Sequence, residues 1–364
     1  MDHSYSHASA SVNTTLQALC RQEETHYQVT ADYLAHLPAT STTDASEAVQ
    51  KVAQRRAKCR AAMVTWCCTV VDYLEFERET VSMALNCLDR FMETPAGRAC
   101  LTTPRQYKIA GMTCLYTCIK AHEPEAIEPE LVVELSGHLC QPEDVEAMER
   151  TLLASLKWSV NPPTALAFCR SLLALVPATG VVSAEECASL LDLAQVQTEL
   201  AVAEPRLVTT PPSLLALASI FNALESKHSS MEILDDLSQL FFMAMAGSAH
   251  LKNMDAVFDV QDVLDDIIRQ HNDKQQAQAE EEQEEEAAAP ATVEEEEEEE
   301  QEQVHVVEQE EDEEDVEEDP LDDDEVNPAA DSPSMGKGRP NSRSQQQPVQ
   351  VTPSALRYKA AEAA

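Results

Sequence analysis

From about Arg55 to Val160 apolar residues recur at helical spacing, and four charged side chains interrupt the pattern on its inward face. Met63, Trp66, Cys67, Val70, Val71 and Leu74 make one stripe, and Arg60 lies on it. Val81, Ala84, Leu85 and Leu88 make the next, which Asp89 continues. Ile109, Met112, Tyr116 and Ile119 mark a third helix, with Lys120 four residues past Tyr116. A short helix near Leu131 to Leu135 precedes a last long one, where Val145, Met148, Leu152 and Leu156 face inward and Glu149 sits at the edge. This periodicity predicts an all-α bundle of four long helices and one shorter one. A charge on an apolar stripe is rarely fully buried without a partner. Two cations and two anions on successive helices therefore imply pairing among themselves, or a polar partner from outside.

The remaining chain sorts around that bundle. Residues 1–48 form an arm, polar and expected to be disordered over 1–15, with a helix expected over 16–37 and a Ser/Thr-rich linker after it. The bundle occupies 49–160. Within it ETPAGRACLTT reads as loop, and Thr103-Pro104 as a cap followed by Pro at the first helical position. Asn161-Pro162-Pro163 is expected to end the last helix. A second helical domain, 161–272, carries a weak internal repeat: LTTPRQYKIAGM from Leu101 and VTTPPSLLALAS from Val208 share a Thr-Thr-Pro start and an apolar helix with small residues inside. An offset of that size is what a duplicated five-helix unit would give. It maps Lys120 onto Lys227 but Glu149 onto Ala256, so one partner site is expected, not two.

Residues 273–364 are a tail. Glu280 to Glu325 holds 28 acidic residues and no Lys or Arg, so most of the net charge of −41 belongs to this segment. Such a stretch buries too little apolar surface to offset the cost of ordering its backbone, so disorder is expected, with transient helix near Gln275 to Ala289. It is either a solvated tether or a segment that governs turnover, with Ser332 and Thr352, each before a proline, as candidate phosphosites.

Composition excludes several functions. No basic stripe is available to replace phosphate counterions, so nucleic acid is not an expected partner. The longest apolar run, around Leu214 to Leu224, is shorter than the ~20 residues that cross a bilayer, so no membrane partner is expected. The first twenty residues lack the pattern of a secretory leader. Cys67, Cys87, Cys114 and Cys118 lie on helical stripes, where a reduced thiol packs as a small apolar residue. With no Cys-x-x-Cys pair, no metal site is expected. No glycine-rich phosphate loop and no nucleophile–base string is present among only seven glycines, so neither catalysis nor a cofactor is expected. His138 and His228 stand alone.

The strings CRAAMVTW, ALNCLDRFM, AGMTCLYTCIKAHE and VEAMERTLLASLKWSV, in this order, resemble the cyclin box. Arg60, Asp89, Ile109, Lys120 and Glu149 match the family's signature of Arg, Asp, an apolar residue, Lys and Glu. The resemblance implies two tandem five-helix cyclin-like boxes, an N-terminal helix packed across them, and the role of regulatory subunit of a cyclin-dependent protein kinase in the cell cycle. It implies that Lys120 and Glu149 grip the main chain around a kinase helix, and that Arg60 and Asp89 form a structural ion pair. Trp158 falls where cyclins carry a residue that packs on the kinase, with core packing the alternative. Met63 and Trp66, beside Cys59 and Ala62, fall at a substrate-docking patch, although Thr69 and Lys108 replace the acid and the Gln expected there, and residues of this kind are more often core. MVTW, LDRFM and LKWSV lean toward D-type cyclins. Leu19-Cys20-x-x-Glu23 is similar to a Leu-x-Cys-x-Glu motif that docks on retinoblastoma-type repressors, but its order is altered, which favours a plain helix start, and Ala121 replaces an aromatic residue. The expected location is nucleus and cytoplasm. Rival readings are a transcription-linked cyclin of an RNA polymerase kinase, a promoter-binding factor of the same fold, and a scaffold without a kinase.

Overall fold

A computed structural model describes residues 2–29, 33–34, 45–227, 231–246, 248 and 254–288, all of them helical or irregular. The first helix, α1, spans Asp2–Thr25. It starts before the expected Leu16 and stops well short of Leu37. Tyr33 and Leu34 lie in a separate turn and are buried in the first core, whereas Leu16 and Cys20 enter the second.

The first bundle comprises α2 (Ala45–Tyr73), α3 (Glu79–Glu93), α4 (Pro95–Cys100), α5 (Pro104–His122), α6 (Pro129–Leu135) and α7 (Pro142–Ser155). The segment expected as loop contains α4. Thr94 caps it, accepting from Gly97 N at 3.1 Å, and Pro95 opens it. The same Thr-Pro signal starts α5, where Thr103 accepts from Gln106 N at 3.3 Å as expected. Gly97 permits the tight turn between α3 and α4, because a Cβ there would lie 1.9 Å from the Phe91 carbonyl oxygen.

Helix α5 is the axis, buried on every side from Ile109 to Ile119. Its small residues make that possible. Gly111 lies against Met63, and Thr113 and Thr117 turn their hydroxyls back onto the carbonyls of Ile109 and Thr113, each at 2.8 Å. Packing α2, α3 and α7 around it removes Val71, Leu88, Phe91, Met92, Val145 and Leu152 from water. Each such side chain contributes roughly 1.5–3 kcal/mol.

The second bundle comprises α8 (Ala165–Leu173), α9 (Ala184–Ala201), α10 (Pro212–Lys227), α11 (Met231–Ala244) and α12 (Asp255–Ala288), with 3-10 turns at Val176–Thr179 and Pro205–Leu207. Here α10 is the buried axis, again rich in small residues: Ala216, Ala218, Ser219 and Ala223. The Thr-Thr-Pro repeat thus marks the entry to the central helix of each bundle. Ser183 and Glu186 form a capping box at the start of α9. Both bundles lie in a compact unit that includes Met1–Asp273. A second unit, Lys274–Gln350, is described only over the end of α12, which continues helically to Ala288, past the expected boundary at 272. The rest of the acidic tail, with Ser332 and Thr352, and His228 lie outside the described residues.

Candidate functional site

The four stripe charges separate into two pairs of opposite character. Arg60 and Asp89 are each 3% exposed. Arg60 donates Nε to Asp89 Oδ1 at 3.0 Å and Nη2 to Oδ2 at 2.8 Å, a two-pronged clamp between α2 and α3. Its remaining Nη1 donates to the carbonyl of Val202 at the end of α9, so the pair also ties the second bundle to the first. Tyr33 donates its hydroxyl to Asp89 Oδ1 at 2.9 Å and lies 3.3 Å from the Tyr107 hydroxyl. Burial alone would lower the pKa of Arg60, but the charge and hydrogen bonds of Asp89 outweigh it and raise it. Burial, with Asp89's charge, also pushes the Tyr33 phenol up. Every polar arm is committed inside the fold.

Lys120 and Glu149 are different. Lys120 Nζ donates to Glu149 Oε1 at 2.9 Å and Oε2 at 3.1 Å, joining the end of α5 to the middle of α7. The Lys120 side chain is 38% exposed and that of Glu149 15%. Thr117 Oγ1 reaches Glu149 at 3.5 Å, and Lys120 Nζ lies 4.6 Å from the centre of the Tyr116 ring. Burial would lower the pKa of Lys120, yet its hydrogen bond to Glu149 leads the effects that raise it. The pair lies at the rim, and an ammonium has three donors and a carboxylate several acceptor positions. Both retain capacity toward a ligand.

Trp158 lies past the end of α7 and is 73% exposed, so it is not core. Helix α7 stops at Ser155, before the prolines expected to end it. Lys157 (φ +52°) and Trp158 (φ +63°) then adopt the left-handed conformation. Two bulky residues there in succession are unusual, and such strain is found where a surface has a task. Trp158 N bonds to Leu153 O at 3.0 Å, which closes the helix end and turns the indole outward. His122 Nε2 lies 3.2 Å from Val160 O, joining the end of α5 to the same turn.

Arg90 was missed by periodicity, although it stands in the LDRFM string. It is 6% exposed and donates to Asn86 Oδ1 at 2.8 Å, His26 O at 3.2 Å and Ser159 O at 2.6 Å. Its guanidinium also lies 4.8 Å from the centre of the Tyr27 ring. One cation thus holds the N-terminal arm to the turn that carries Trp158.

Burial bears on two readings that the sequence leaves open. Met63 is 4% exposed and lies against Gly111, and Trp66 is half-buried with its indole N–H on Leu135 O at 3.3 Å, so this pair does not form an open docking patch. In Leu19-Cys20-x-x-Glu23, Cys20 is 7% and Glu23 2% exposed, both turned to the second bundle rather than outward. In that bundle Lys227 bonds to Ser189 Oγ, and Ala256 stands where Glu149 has its counterpart. Among the described residues, no helix is long and apolar enough to cross a membrane. All eleven cysteines are free, and burial pushes the thiols of Cys67, Cys114 and Cys169 up, which leaves them unreactive.

The cyclin N-terminal domain family matches residues 28–161, the stretch that holds both ion pairs. Residues 28–161 are thus a cyclin N-terminal domain. It is 27% identical over 175 residues to cyclin-B2-2 of Arabidopsis thaliana, covering 48% of this chain and 38% of that protein. Over 195 residues it is 26% identical to the G1/S-specific cyclin-D1 of Homo sapiens, covering 52% and 62%. The chain therefore spans less than two thirds of either relative. Among solved structures, that of a viral cyclin from herpesvirus saimiri aligns with a TM-score of 0.49 at 16% identity, covering 69% of this chain and 97% of that one.

Proposed function

We propose that this chain is a regulatory subunit that binds and activates a cyclin-dependent protein kinase. The observation that carries the reading is the rim pair Lys120–Glu149, with donors and acceptors to spare. The ends of a partner helix expose carbonyls that a lysine can hold and N–H groups that a carboxylate can hold. Gripping both positions that helix, and the partner then assembles its own Lys–Glu ion pair and orders its activation loop. Trp158, exposed on the same bundle, supplies the apolar anchor. Aromatic anchors of this kind dominate binding energy at interfaces. The relatives' names, with the LDRFM and LKWSV strings, support cell-cycle progression as the process and a D-type-like assignment within the family. Nucleus and cytoplasm is the location that fits this role.

Affinity purification of the full chain from synchronised cells, followed by a protein kinase assay on the eluate, tests the proposal. A co-purified kinase activity that disappears with Lys120→Ala and Glu149→Ala supports it. Recovery of an RNA polymerase kinase instead would favour the transcription-linked reading. An unchanged set of bound proteins with both variants would favour a scaffold.

A further inference from the structure

Helix α1 is fastened to the second bundle by an acid as well as by apolar contacts. Leu16 is fully buried there, Cys20 nearly so, and one turn on Glu23 follows them at 2% exposure. Glu23 Oε1 accepts the N–H of Ser213 at 2.7 Å. Ser213 is in the first turn of α10, where backbone donors have no acceptor within the helix. Glu23 Oε2 has no hydrogen-bond partner, and neither has the hydroxyl of Ser213. No cation answers the carboxylate among the described residues. Arg170 on α8 pairs with Glu79, Arg206 pairs with Glu204 and Asp266, and Lys227 is bonded to Ser189. Among the described residues the charge that acts on Glu23 is Glu24 of its own helix, which repels it, and Cys20 beside it is a neutral thiol.

A buried carboxylate with one oxygen empty and no counter-charge is costly, while its neutral form is cheaper to bury and can donate from that oxygen. We propose that Glu23 is a proton-operated latch: protonated it holds α1 tightly on the second bundle, and ionised it loosens that hold. Burial, opposed by the hydrogen bond from the Ser213 N–H, pushes its pKa up to about 7 from the usual carboxylate value of 4.5. Because the docked state binds the proton more tightly than the free helix, docking is strongest in acid. It weakens as pH rises from about 4.5 to about 7, then levels off. The arm that follows α1 supplies the His26 carbonyl and the Tyr27 ring to Arg90, which also holds Ser159 beside Trp158. Loosening α1 therefore slackens the support of Trp158. This last consequence rests on the function proposed above, whereas the latch does not.

Amide hydrogen exchange of α1 in the full chain, corrected for intrinsic exchange rates, reads the latch without any kinase. The opening constant is expected to rise about sevenfold from pH 5 to 6, about fivefold from 6 to 7 and less than about twofold from 7 to 8. Glu23→Gln removes this dependence, and Glu24→Gln retains it. The carbon resonance of the Glu23 carboxyl in the unaltered protein should titrate near 7, which decides the matter even if Glu23→Gln does not fold. Equal protection at pH 5 and 7, or a carboxyl that titrates in the ordinary range, overturns the proposal.

Discussion

Arg60–Asp89 and Lys120–Glu149 are built from the same chemistry in the same bundle, yet their relations to water are opposite. The first pair is 4% exposed on both sides, and its spare donor and acceptor positions go to Val202 and Tyr33. The second has a lysine 38% exposed at the end of its helix. Taking two charges out of water costs several kcal/mol each and is recovered only when every arm finds a partner. A rim pair incurs little of that cost and contributes little to stability. What distinguishes a structural pair from a binding pair is thus whether its hydrogen-bonding capacity is used up internally.

The contrast can be broken by substitution. Asp89→Ala should be the most damaging change. It leaves Arg60 charged and buried, so urea unfolding should show a loss of about 3–5 kcal/mol. Partner binding should fall only in step with the folded fraction. An intact circular dichroism spectrum with binding abolished would reverse the roles assigned here. Arg60→Lys asks whether charge or shape matters. A lysine cannot serve both oxygens of Asp89 and the Val202 carbonyl in the same fork, so a loss of about 1–3 kcal/mol is expected. Glu149→Ala should cost under about 1 kcal/mol in the same assay, because water takes over most of what Lys120 loses. Trp158→Ala should move stability by no more than about 0.5 kcal/mol, since its side chain is mostly in solvent already. A larger loss would mean that the indole packs on the fold and is no free anchor.

Sequence periodicity located the axis helices because α5 and α10 carry small residues among apolar ones, and it located α5's start because Thr103 and Pro104 are a local signal. It placed all four stripe charges, and the cost of leaving them single pointed to pairing or to a polar partner from outside. It could not tell which pair was buried, since that depends on where α9 ends and offers the Val202 carbonyl. The partners Tyr33 and Tyr107 are 56 and 74 residues from their contacts, and no periodic pattern links them. Helix α4 was legible and overlooked: its Thr94-Pro95 start is the same signal that was recognised at Thr103-Pro104. Glu23 was read within a docking string, whereas its fate was set by α10, a contact 190 residues away. The left-handed turn at Trp158 has no glycine to announce it.

The central claim is that Lys120 and Glu149 are held ready for another protein. The direct test is the activity of the co-purified kinase, titrated with the unaltered chain and with the double variant Lys120→Ala/Glu149→Ala. Hydrogen bonds to charged groups contribute roughly 1.5–3 kcal/mol each, so the double variant should fold with nearly unchanged stability and need at least about a hundredfold more protein for half-maximal activation. Full activation at the same concentration as the unaltered chain would contradict the account.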